Sequence, residues 1–396
     1  MSVETLLRDA VYVLASASAA YSIAAIIAAG KFFGSPRAPS ASHASPADDF
    51  APPVSILKPV RGLDRETYEN YASFCRQDYP EFEILFCVTD ETDPAIPVIE
   101  QIIRDFPDAG SPKRAIRLRI GAEPLGVSDK VNKLCRMVRE ARHDIVIVTD
   151  SDVRVGPGFL RAAVAPFRDP KIGGVTCLYR GLTDGSFAAN LEALGNSTDF
   201  APGVLVAWML GGRKLNFMLG AVMATTKKHL AEIGGFESLV DYFCDDYELG
   251  NRLAARGRPV ELIPFPVDIV YPRESLGEAF RHQIRWNLSI RYSRPWGHAS
   301  LIFTQLLIWC LAGFILAKSF LGMFVFAAGY ALLRGEVALS AGARGMKDNL
   351  VRPQIKWLWL RDLFAFAVWL ASFLPQRIVW RGRKFLVREK RLVLPE

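Results

Sequence analysis

The sequence has little of what would indicate a disulfide-built, zinc-binding or disordered protein. Its 396 residues include six cysteines, with no C-x-x-C pair and no Cys/His spacing typical of a metal site. Cysteines used in this way fit a reducing compartment. No internal repeat is present. With 51% hydrophobic and 22% charged residues, the composition excludes a collagen, a coiled coil and a disordered chain.

The overall balance of residues indicates a soluble part joined to a few membrane segments. The mean hydropathy of +0.16 is high for a soluble protein, whereas the charged residues are too many for a wholly intramembrane one. Basic residues outnumber acidic ones by 48 to 41, a net charge of +7. Much of this excess lies near the C-terminus, which favours a membrane-surface feature over a nucleic-acid groove.

The first apolar run, Ala10–Gly30, carries no charge and would reach about 31 Å as a helix, enough to cross a bilayer core. A secretory signal peptide is the alternative, but the residues before the run carry no positive excess and no clear A-x-A site follows. We therefore predict an uncleaved anchor. Lys31 and Arg37 follow it and favour a cytoplasmic location for the downstream domain, with the N-terminus outside. The Ala- and Arg-rich composition looks bacterial, so the expected location is the inner (cytoplasmic) membrane.

After a Pro/Ser/Ala-rich linker, the pattern changes to short β-branched apolar runs separated by helical stretches. This alternation predicts βαβ units and a mostly parallel sheet in an α/β domain. The predicted strands are Val54–Leu57, Glu83–Val88, Ile116–Ile120, Ile145–Thr149, Gly173–Leu178 and Val260–Ile263.

Two later apolar segments are candidates for the membrane. Ala299–Leu333 has Lys318 as its one charge, and it is too long for one upright helix and short for two. A hairpin turning near Lys318, or one span with a re-entrant piece, fits this length. Trp357–Leu374 carries Arg361 and Asp362 and either spans the membrane or lies at its interface.

The predicted organisation has five parts, and the tail is rich in Lys and Arg, which favours the cytoplasmic face. The parts are an anchor (1–33), a linker (34–53), a catalytic domain (54–298), C-terminal membrane segments (299–375) and a basic juxtamembrane tail (376–396).

The most informative motif is a pair of carboxylates at the end of a buried strand. Asp150 and Asp152 follow Ile145–Thr149 directly. Ligands collect at the carboxyl ends of strands in open α/β sheets, and residues i and i+2 of an extended chain project to one side. Mg²⁺ and Mn²⁺ take oxygen ligands and often combine protein carboxylates with substrate phosphates. The pair therefore indicates a metal–diphosphate site, with an Asx turn as the ordinary alternative.

Acidic residues at two further places in the sequence are also candidate site residues. Asp90 ends the strand Glu83–Val88, where an Asp also commonly caps a turn. Asp245 and Asp246 open a helical stretch, where acidic residues ordinarily compensate the helix dipole. Adjacent carboxylates in one pocket, however, raise at least one pKa toward that of a useful general base.

A helix predicted over Gly277–Tyr292 carries His282, Gln283, Arg285 and Trp286. The Arg fork suits a phosphate and the Trp supplies a flat apolar wall. An amphipathic interfacial helix is the alternative.

Taken in order, these residues resemble the D, D, D, (Q/R)xxRW signature of membrane-bound inverting glycosyltransferases. The intervening sequence resembles the ceramide glucosyltransferase family, including its bacterial relatives that glycosylate hopanoids. The likeness covers about residues 50–390. The matching stretches are Val54–Gly62, Phe86–Asp90 with Asp93–Ala95, Lys130–Asn132, Phe217–Gly220, Asp245–Tyr247 and Trp380–Arg383. One position departs: His282 stands where the pattern has Gln or Arg, and Gln283 comes one place late.

The resemblance implies a GT-A nucleotide-diphospho-sugar domain with a Rossmann-like, mostly parallel sheet, flanked by N- and C-terminal transmembrane helices. It implies Asp246 as catalytic base, with Arg285 and Trp286 completing the catalytic set. It also implies a divalent cation, Mg²⁺ or Mn²⁺, on Asp152 with Asp150 and Asp245. The implied substrate-binding residues are Lys58, Arg61, Asp90, Lys130, Asp150, His282 and Gln283.

The implied reaction moves a single sugar from a UDP-sugar to a membrane lipid hydroxyl with inversion at the anomeric carbon. Glucose transfer to ceramide is the first expectation and N-acetylglucosamine transfer to a hopanoid the second. The apolar run 203–210 is interpreted as a patch beside the acceptor entrance, or as plain core. The bilayer and the lipid acceptor are the expected partners; no nucleic acid is expected, and no protein partner can be inferred.

Two other functions stay open. A processive polysaccharide synthase shares the signature, but too few hydrophobic segments are present for a polymer channel. A non-catalytic, membrane-tethered nucleotide-sugar-binding module would need neither a base nor paired acids.

Overall fold

The structure is a computed structural model that describes residues 2–34, 50–107, 113–374, 378–380, 383–388 and 390–393. Most of the predicted linker, residues 35–49, lies outside the described residues. So do several residues of the predicted basic tail, among them 376–377, 381–382 and 389.

Helices and strands alternate through much of the chain. The described helices are α1 Val3–Phe33, α2 Thr67–Cys75, α3 Ile96–Asp105, α4 Asp129–Glu140, α5 Phe159–Val164, α6 Phe187–Gly195, α7 Ala201–Leu210, α8 Lys227–Glu232, α9 Asp245–Ala255, α10 Leu276–Ser293, α11 Pro295–Ala299, α12 Leu306–Leu316, α13 Phe320–Val337, α14 Val351–Gln354 and α15 Leu358–Ala371. The described strands are β1 Val54–Pro59, β2 Phe82–Val88, β3 Arg114–Ile120, β4 Ile145–Thr149, β5 Val153–Arg154, β6 Gly174–Leu182, β7 Val222–Thr226, β8 Val260–Val270, β9 Ile378–Trp380, β10 Arg383–Arg388 and β11 Arg391–Val393.

The chain divides into two compact units, which differ from the continuous catalytic domain predicted over residues 54–298. One, here called the sheet unit, comprises Pro36–Leu182, Leu210–Pro272 and Ile378–Glu396. The other, the membrane unit, comprises Met1–Ser35, Thr183–Met209 and Arg273–Arg377. The difference arises because α6, α10 and α15 contact one another, and Trp208 of α7 packs against Phe32 of α1.

The sheet unit is built on eight strands in the order β3-β2-β1-β4-β7-β6-β8-β5. Strands β3, β2, β1 and β4 are parallel neighbours, whereas β7 runs antiparallel to both β4 and β6. All residues of β1, β2 and β4 are buried, as expected for parallel strands covered on both faces. The predicted mixed, mostly parallel sheet is confirmed.

Because β1, β2 and β4 are parallel and adjacent, their carboxyl ends meet at one edge of the sheet. Arg61 follows β1, Asp90 follows β2, and Asp150 follows β4. The helix α4 begins at the same edge with Asp129 and Lys130, and the Ser128 hydroxyl caps it by accepting from the Val131 N–H. The predicted nucleotide-binding edge is therefore assembled from separate βα connections.

The predicted basic tail contains regular structure in its described part. Strands β9, β10 and β11 form a small antiparallel sheet in the order β11-β10-β9. The side chains of Phe385 and Leu392 are buried. Contact of this tail with a bilayer surface stays a prediction.

The predicted N-terminal span lies within α1, which has 31 residues and is therefore about 46 Å long. The Ser2 hydroxyl caps it by accepting a hydrogen bond from the Thr5 N–H. In the described residues, α1 and the helix Phe320–Gly345 are long and apolar enough to cross a membrane. A third candidate is the bent pair Pro295–Thr304 and Leu306–Leu316, whose two parts meet at 47°.

The second predicted membrane segment folds as a helical hairpin. Helices α12 and α13 are separated at Ala317–Ser319, so the chain turns next to Lys318 as one of the two predictions had it. A Cβ added at Gly313 would lie 2.5 Å from the Phe326 ring, which shows how closely the two helices pack. Helix α15 has 14 residues, about 21 Å, and is shorter than a bilayer core of about 30 Å.

Arg361 and Asp362 left open whether the segment after residue 357 spans the membrane or lies at its interface. Both side chains form ion pairs inside the membrane unit. Arg361 Nε lies 2.7 Å from Asp199 Oδ2, and Arg334 Nη2 lies 2.5 Å from Asp199 Oδ1. Arg334 also pairs with Asp362 at 2.7 Å, and the Tyr330 hydroxyl donates to Asp362 at 3.0 Å. Mutual pairing is the usual way in which apolar surroundings accommodate charged side chains.

Removing one member of this network should destabilise the protein. In Asp199→Ala, both Arg334 and Arg361 lose a partner while they stay buried, which typically costs about 3–5 kcal/mol. A thermal-denaturation assay on the detergent-purified protein measures this loss. The matched control is Arg344→Ala, because Arg344 pairs with Glu336 where both side chains are exposed, and such pairs contribute about 1 kcal/mol or less. Equal stability of the two variants would contradict a structural role for the network.

Candidate active site

Carboxylates from two distant parts of the sequence meet around one lysine of the sheet unit. Lys130 Nζ lies 3.0 Å from Asp150 Oδ1, at the end of β4, and 3.4 Å from Asp245 Oδ2, in the first turn of α9. Although burial opposes it, these two carboxylates raise the pKa of Lys130. The ammonium group therefore stays charged and holds the two acidic segments together.

Gly220 leaves room for the carboxylates of Asp246 and Asp150, which both approach its backbone. A Cβ added at Gly220 would lie 3.1 Å from Asp246 Oδ2 and 3.7 Å from Asp150 Oδ2. Both oxygens are thus within van der Waals reach of the same point on the backbone. A larger residue at position 220 would therefore require the Asp246 carboxylate to shift by a few tenths of an ångström.

Asp152 lies two residues after Asp150, beyond the end of β4, in the same charged environment. Burial, followed by the negative charges of Asp150 and Asp64, raises the pKa of Asp152 to about 7. The Ser151 hydroxyl donates to Asp64, so the loop between β1 and α2 contributes this further acid. A carboxyl with a raised pKa beside two other carboxylates indicates negative charge that the protein itself leaves uncompensated.

Lys58 lies beneath the acids and is fully buried. Its ammonium group donates to the Thr149 hydroxyl at 3.0 Å and to the Asp150 carbonyl at 2.9 Å, and it lies 3.9 Å from the centre of the Phe74 ring. Burial lowers the pKa of Lys58 to about 7, against the opposing effect of Asp152 and Asp150. In this position Lys58 fixes the end of β4.

Asp246, the residue predicted to act as base, has a raised pKa. Burial, followed by the charge of Asp245, raises its pKa to about 6, while Lys130 acts in the opposite direction. A carboxylate with a pKa near neutrality accepts a proton more readily than an ordinary surface carboxylate does. Its Oδ1 also accepts a hydrogen bond from the Tyr247 N–H at 2.7 Å, which restrains the side chain at the start of α9.

Asp90 and Arg61 belong to a neighbouring group on the same sheet edge. Arg61 Nη1 lies 3.8 Å from Asp129 Oδ2, and the Thr89 hydroxyl donates to Asp129 at 3.1 Å. Asp90 is exposed. Hydrogen bonds from the side chain and N–H of Thr92, and then the charges of Arg61 and Lys133, hold the pKa of Asp90 below its ordinary value. Helix α4 connects this group to the acid cluster, because it carries both Asp129 and Lys130.

The signature residues on α10 lie in the membrane unit, where two of them share one buried glutamate. His282 Nδ1 lies 2.6 Å from Glu192 Oε1, and the Gln283 amide donates to the same oxygen at 3.0 Å. Arg361 Nη2 donates to the Gln283 carbonyl oxygen at 3.2 Å. The His282 ring packs against the Trp286 ring at 4.8 Å. Arg285, one residue earlier, is half-buried.

The sheet unit therefore brings together Lys58, Lys130, Asp150, Asp152, Asp245 and Asp246, and places Arg61 and Asp90 beside Asp129. Within the membrane unit, His282 and Gln283 contact Glu192, and Trp286 packs against His282. Sequence reasoning missed Glu192, Asp64 and Gly220 as contributors. An acidic residue inside the apolar helix α6 was a usable signal for Glu192, and Gly220 closes a stretch that already matched the family pattern.

The acid set has the ligand chemistry of a divalent-cation site, and its use as one stays a prediction; within the described residues, the group of three ligand atoms lying within 4.8 Å of one another is Glu192, Glu274 and His282. Asp150, Asp152, Asp245 and Asp246 supply only oxygen ligands, the type that Mg²⁺ and Mn²⁺ prefer. Burial first, and neighbouring carboxylates second, raise the pKa values of Asp152 and Asp246. Four carboxylates beside two lysines leave a net negative charge, which a bound cation would offset.

Comparison with known proteins identifies the family. The sequence matches the model of glycosyl transferase family 21 over residues 10–393. The chain belongs to glycosyl transferase family 21. The predicted ceramide glucosyltransferase family is thereby confirmed, and the chain is a glycosyltransferase.

Individual relatives of this family 21 chain agree with the assignment. Ceramide glucosyltransferase 1 of Caenorhabditis elegans is 27% identical over 356 residues, which cover 87% of this chain and 73% of the worm protein. The ceramide glucosyltransferase of Gibberella zeae is 34% identical over 140 residues, which cover 33% of this chain and 26% of the fungal protein.

Among solved structures, the mannosyltransferase PcManGT from Pyrobaculum calidifontis, in complex with GDP-Man and Mn²⁺, resembles the family 21 chain with a TM-score of 0.56 at 18% identity. The match covers 93% of this chain and 99% of the mannosyltransferase. This likeness supports the fold, and the predicted GT-A class is confirmed.

Proposed function

We propose that this glycosyltransferase moves one sugar from a UDP-sugar to a hydroxyl group of a membrane lipid, with inversion at the anomeric carbon. Glucose transfer to ceramide is the first candidate, in keeping with the names of the relatives. N-acetylglucosamine transfer to a hopanoid is the second. Both pair a soluble nucleotide sugar with a water-insoluble acceptor.

The observation that carries this proposal is the convergence of Asp150 and Asp246 at Gly220, with Lys130 bridging Asp150 and Asp245. This arrangement supports a donor-binding role for Asp150 and the role of base for Asp246, because both carboxylates approach the same point of the backbone. A protein that only binds a nucleotide sugar has no need for the second acidic segment.

The proposed chemistry uses Asp246 as the base. Its carboxylate takes the proton of the lipid hydroxyl as that oxygen bonds to the anomeric carbon and the bond to the UDP oxygen breaks. Because the acceptor attacks directly, opposite the leaving UDP, an α-linked donor gives a β-glycoside. Lys130, between Asp150 and Asp245, orients the two acidic segments for this step.

Other site residues would bind the donor. Asp152, with Asp150 and Asp245, would hold Mg²⁺ or Mn²⁺, which when bound neutralises charge on the departing diphosphate. Arg61 and Asp90, together with Lys130, would line the uridine and diphosphate pocket. Lys58, predicted with them, is fully buried and would act on the pocket by fixing the end of β4. Arg285 and Trp286, with His282 and Gln283, would complete the diphosphate and acceptor side, as the family signature implies.

A membrane location suits this reaction, because a charged donor and a lipid acceptor meet only at an interface. The two helices long enough to cross a bilayer support it. We propose that the sheet unit faces the cytoplasm at the inner membrane, that the basic tail lies near anionic headgroups, and that α7 lies beside the acceptor entrance. Within the membrane unit, Trp208 of α7 packs against Phe32 of α1 at 5.0 Å.

The test is a transfer assay with the purified full-length protein. Labelled UDP-glucose or UDP-N-acetylglucosamine is incubated with ceramide or a hopanoid in the presence of Mg²⁺ or Mn²⁺. We expect one donor–acceptor pair to give a lipid carrying a single sugar. If no lipid acquires label under any combination, the proposed function is wrong. If the product is a long polymer, the chain is a processive synthase, an outcome disfavoured by the two or three candidate spans in the described residues.

A further inference from the structure

The segment that leads into α9 has no regular secondary structure of its own, although the site acids Asp245 and Asp246 follow it directly. Residues 240–244 connect the turn Phe236–Leu239 to Asp245, the first residue of α9. Such a segment stays in place only through contacts with its surroundings. Two sets of contacts hold it within the sheet unit.

The first set comes from α4 and the loop before it. The Ser128 N–H donates to the Val240 carbonyl at 2.8 Å, and the Val127 N–H donates to Asp241 Oδ1 at 3.0 Å. These bonds tie the segment to the helix that carries Lys130. They fix one edge of the segment.

The second set comes from the C-terminal hairpin, defined here as β10 and β11 with the turn residue Lys390. The Leu392 N–H donates to the Asp241 carbonyl at 2.7 Å, and the Phe243 N–H donates to the Lys390 carbonyl at 3.0 Å. Tyr242 and Arg391 form an antiparallel β-bridge between these two bonds. The strand β11 therefore adds to the segment as a neighbouring strand would.

Lys390 extends this attachment onto α9 itself. Its Nζ lies 3.3 Å from Glu248 Oε1 and 5.7 Å from the centre of the Tyr247 ring. The Glu248 side chain is buried and also contacts Arg252 at 3.4 Å. The backbone of Lys390 has φ +67°, a left-handed conformation that is unfavourable for a residue with a side chain. Such a conformation persists where the surrounding contacts require it.

We propose that the C-terminal hairpin is a positioning element for Asp246: β11 and Lys390 hold residues 241–248 so that the carboxylate is presented beside Gly220. This role rests on the proposed function of Asp246 as the base. The hairpin lies about 140 residues after Asp246 in the sequence. The proposal gives it a contribution to turnover that is separate from any contact with the membrane.

Leu392→Pro tests the hairpin at its backbone bond to Asp241. Proline removes the N–H that bonds Asp241, and that N–H points toward Asp241 rather than into the β10–β11 pairing. We expect turnover per UDP-binding site, with the sites counted by calorimetric titration, to fall at least tenfold while the KM for the donor changes less than twofold. Val393→Ser, at an exposed side chain of the same strand, should match the wild type.

Lys390 provides a second, independent variant. Lys390→Ala should lower turnover per UDP-binding site, and Lys390→Arg, which keeps a cation for Glu248, should restore most of it. If Leu392→Pro and Lys390→Ala both turn over at the wild-type rate per site, or if activity falls only in proportion to lost UDP sites, the positioning role is wrong.

A readout without catalysis separates this proposal from the proposed function. Hydrogen–deuterium exchange of the amides in residues 241–248 should be at least tenfold faster in Leu392→Pro than in the wild type, with exchange in β1 and β4 unchanged. Unchanged exchange in 241–248 would overturn the hairpin proposal even for a protein that transfers sugar. Absence of transfer by the wild type, with faster exchange in the variant, would count against the proposed function alone.

Discussion

Asp246→Asn is expected to abolish most sugar transfer while the sheet unit stays folded. An amide cannot accept the proton of the attacking hydroxyl, and the loss of a general base typically costs on the order of 10²–10⁴-fold in rate. Burial and the charge of Asp245 raise the pKa of Asp246 to about 6, which means that the folded protein destabilises the charged form of this carboxyl group. Removing its charge should leave thermal stability equal or higher.

Steady-state transfer and UDP titration on the same preparation measure this prediction. UDP binding should persist in Asp246→Asn, because the donor contacts proposed for Lys130 and Asp150 are retained. Asp78→Asn is the control, since Asp78 is 83% exposed and lies at the margin of ion-pair distance, 3.9 Å from Arg161. Asp246→Asn with wild-type turnover would remove this residue from the catalytic role.

Removal of the divalent cation should have an effect of similar size. Chelation is expected to stop transfer, and added Mn²⁺ or Mg²⁺ to restore it, because the acid cluster carries more negative charge than Lys58 and Lys130 can offset. In Asp152→Asn the concentration of metal required for half-maximal rate should rise at least tenfold. Asp150→Asn should abolish activity without unfolding the domain.

The metal dependence should also vary with pH in a defined direction. The pKa of Asp152 is raised to about 7 by burial and by Asp150 and Asp64, so this carboxyl is largely protonated below pH 7 and must lose its proton before it binds a cation. The apparent affinity for Mn²⁺ should therefore weaken as the pH falls through about 7. Mn²⁺ titrations at several pH values measure it. Full activity after exhaustive chelation, or identical metal requirements in wild type and Asp152→Asn, would exclude the metal site.

Strands β1, β2 and β4 could be predicted from the sequence because they are buried on both faces and consist mainly of apolar residues. Strand β3, at the edge of the sheet, could be predicted from the alternation of Arg with apolar residues. Strand β5 has two residues, too few for any pattern. Strand β7 is inserted antiparallel between β4 and β6, a long-range pairing that local sequence does not encode.

The site could be predicted where its residues directly follow a strand, as Asp150 and Asp152 follow β4. The pairing of Lys130 with Asp150 and Asp245 needs three separate segments, and no local spacing reveals it. The family resemblance supplied the order of the acids, and the fold supplied Gly220 as the point where Asp150 and Asp246 converge.

The tail and the late membrane segments show what charge patterns leave out. The Lys and Arg content of the tail predicts a membrane-surface segment, which stays a prediction, and it does not reveal the pairing of β10 with β11, in which Phe385 and Leu392 are buried. Arg361 made α15 ambiguous because its partner Asp199 lies 162 residues away in sequence. Neither outcome depends on composition.

The most direct test of the central claim is the anomeric configuration of the lipid product formed from an α-linked UDP-sugar, read from the anomeric proton coupling in an NMR spectrum. Direct attack by a hydroxyl that Asp246 deprotonates yields a β-glycoside. An α-glycoside would require a different order of bond making and breaking at the anomeric carbon. That result would contradict the assignment of Asp246 as the base of a single displacement.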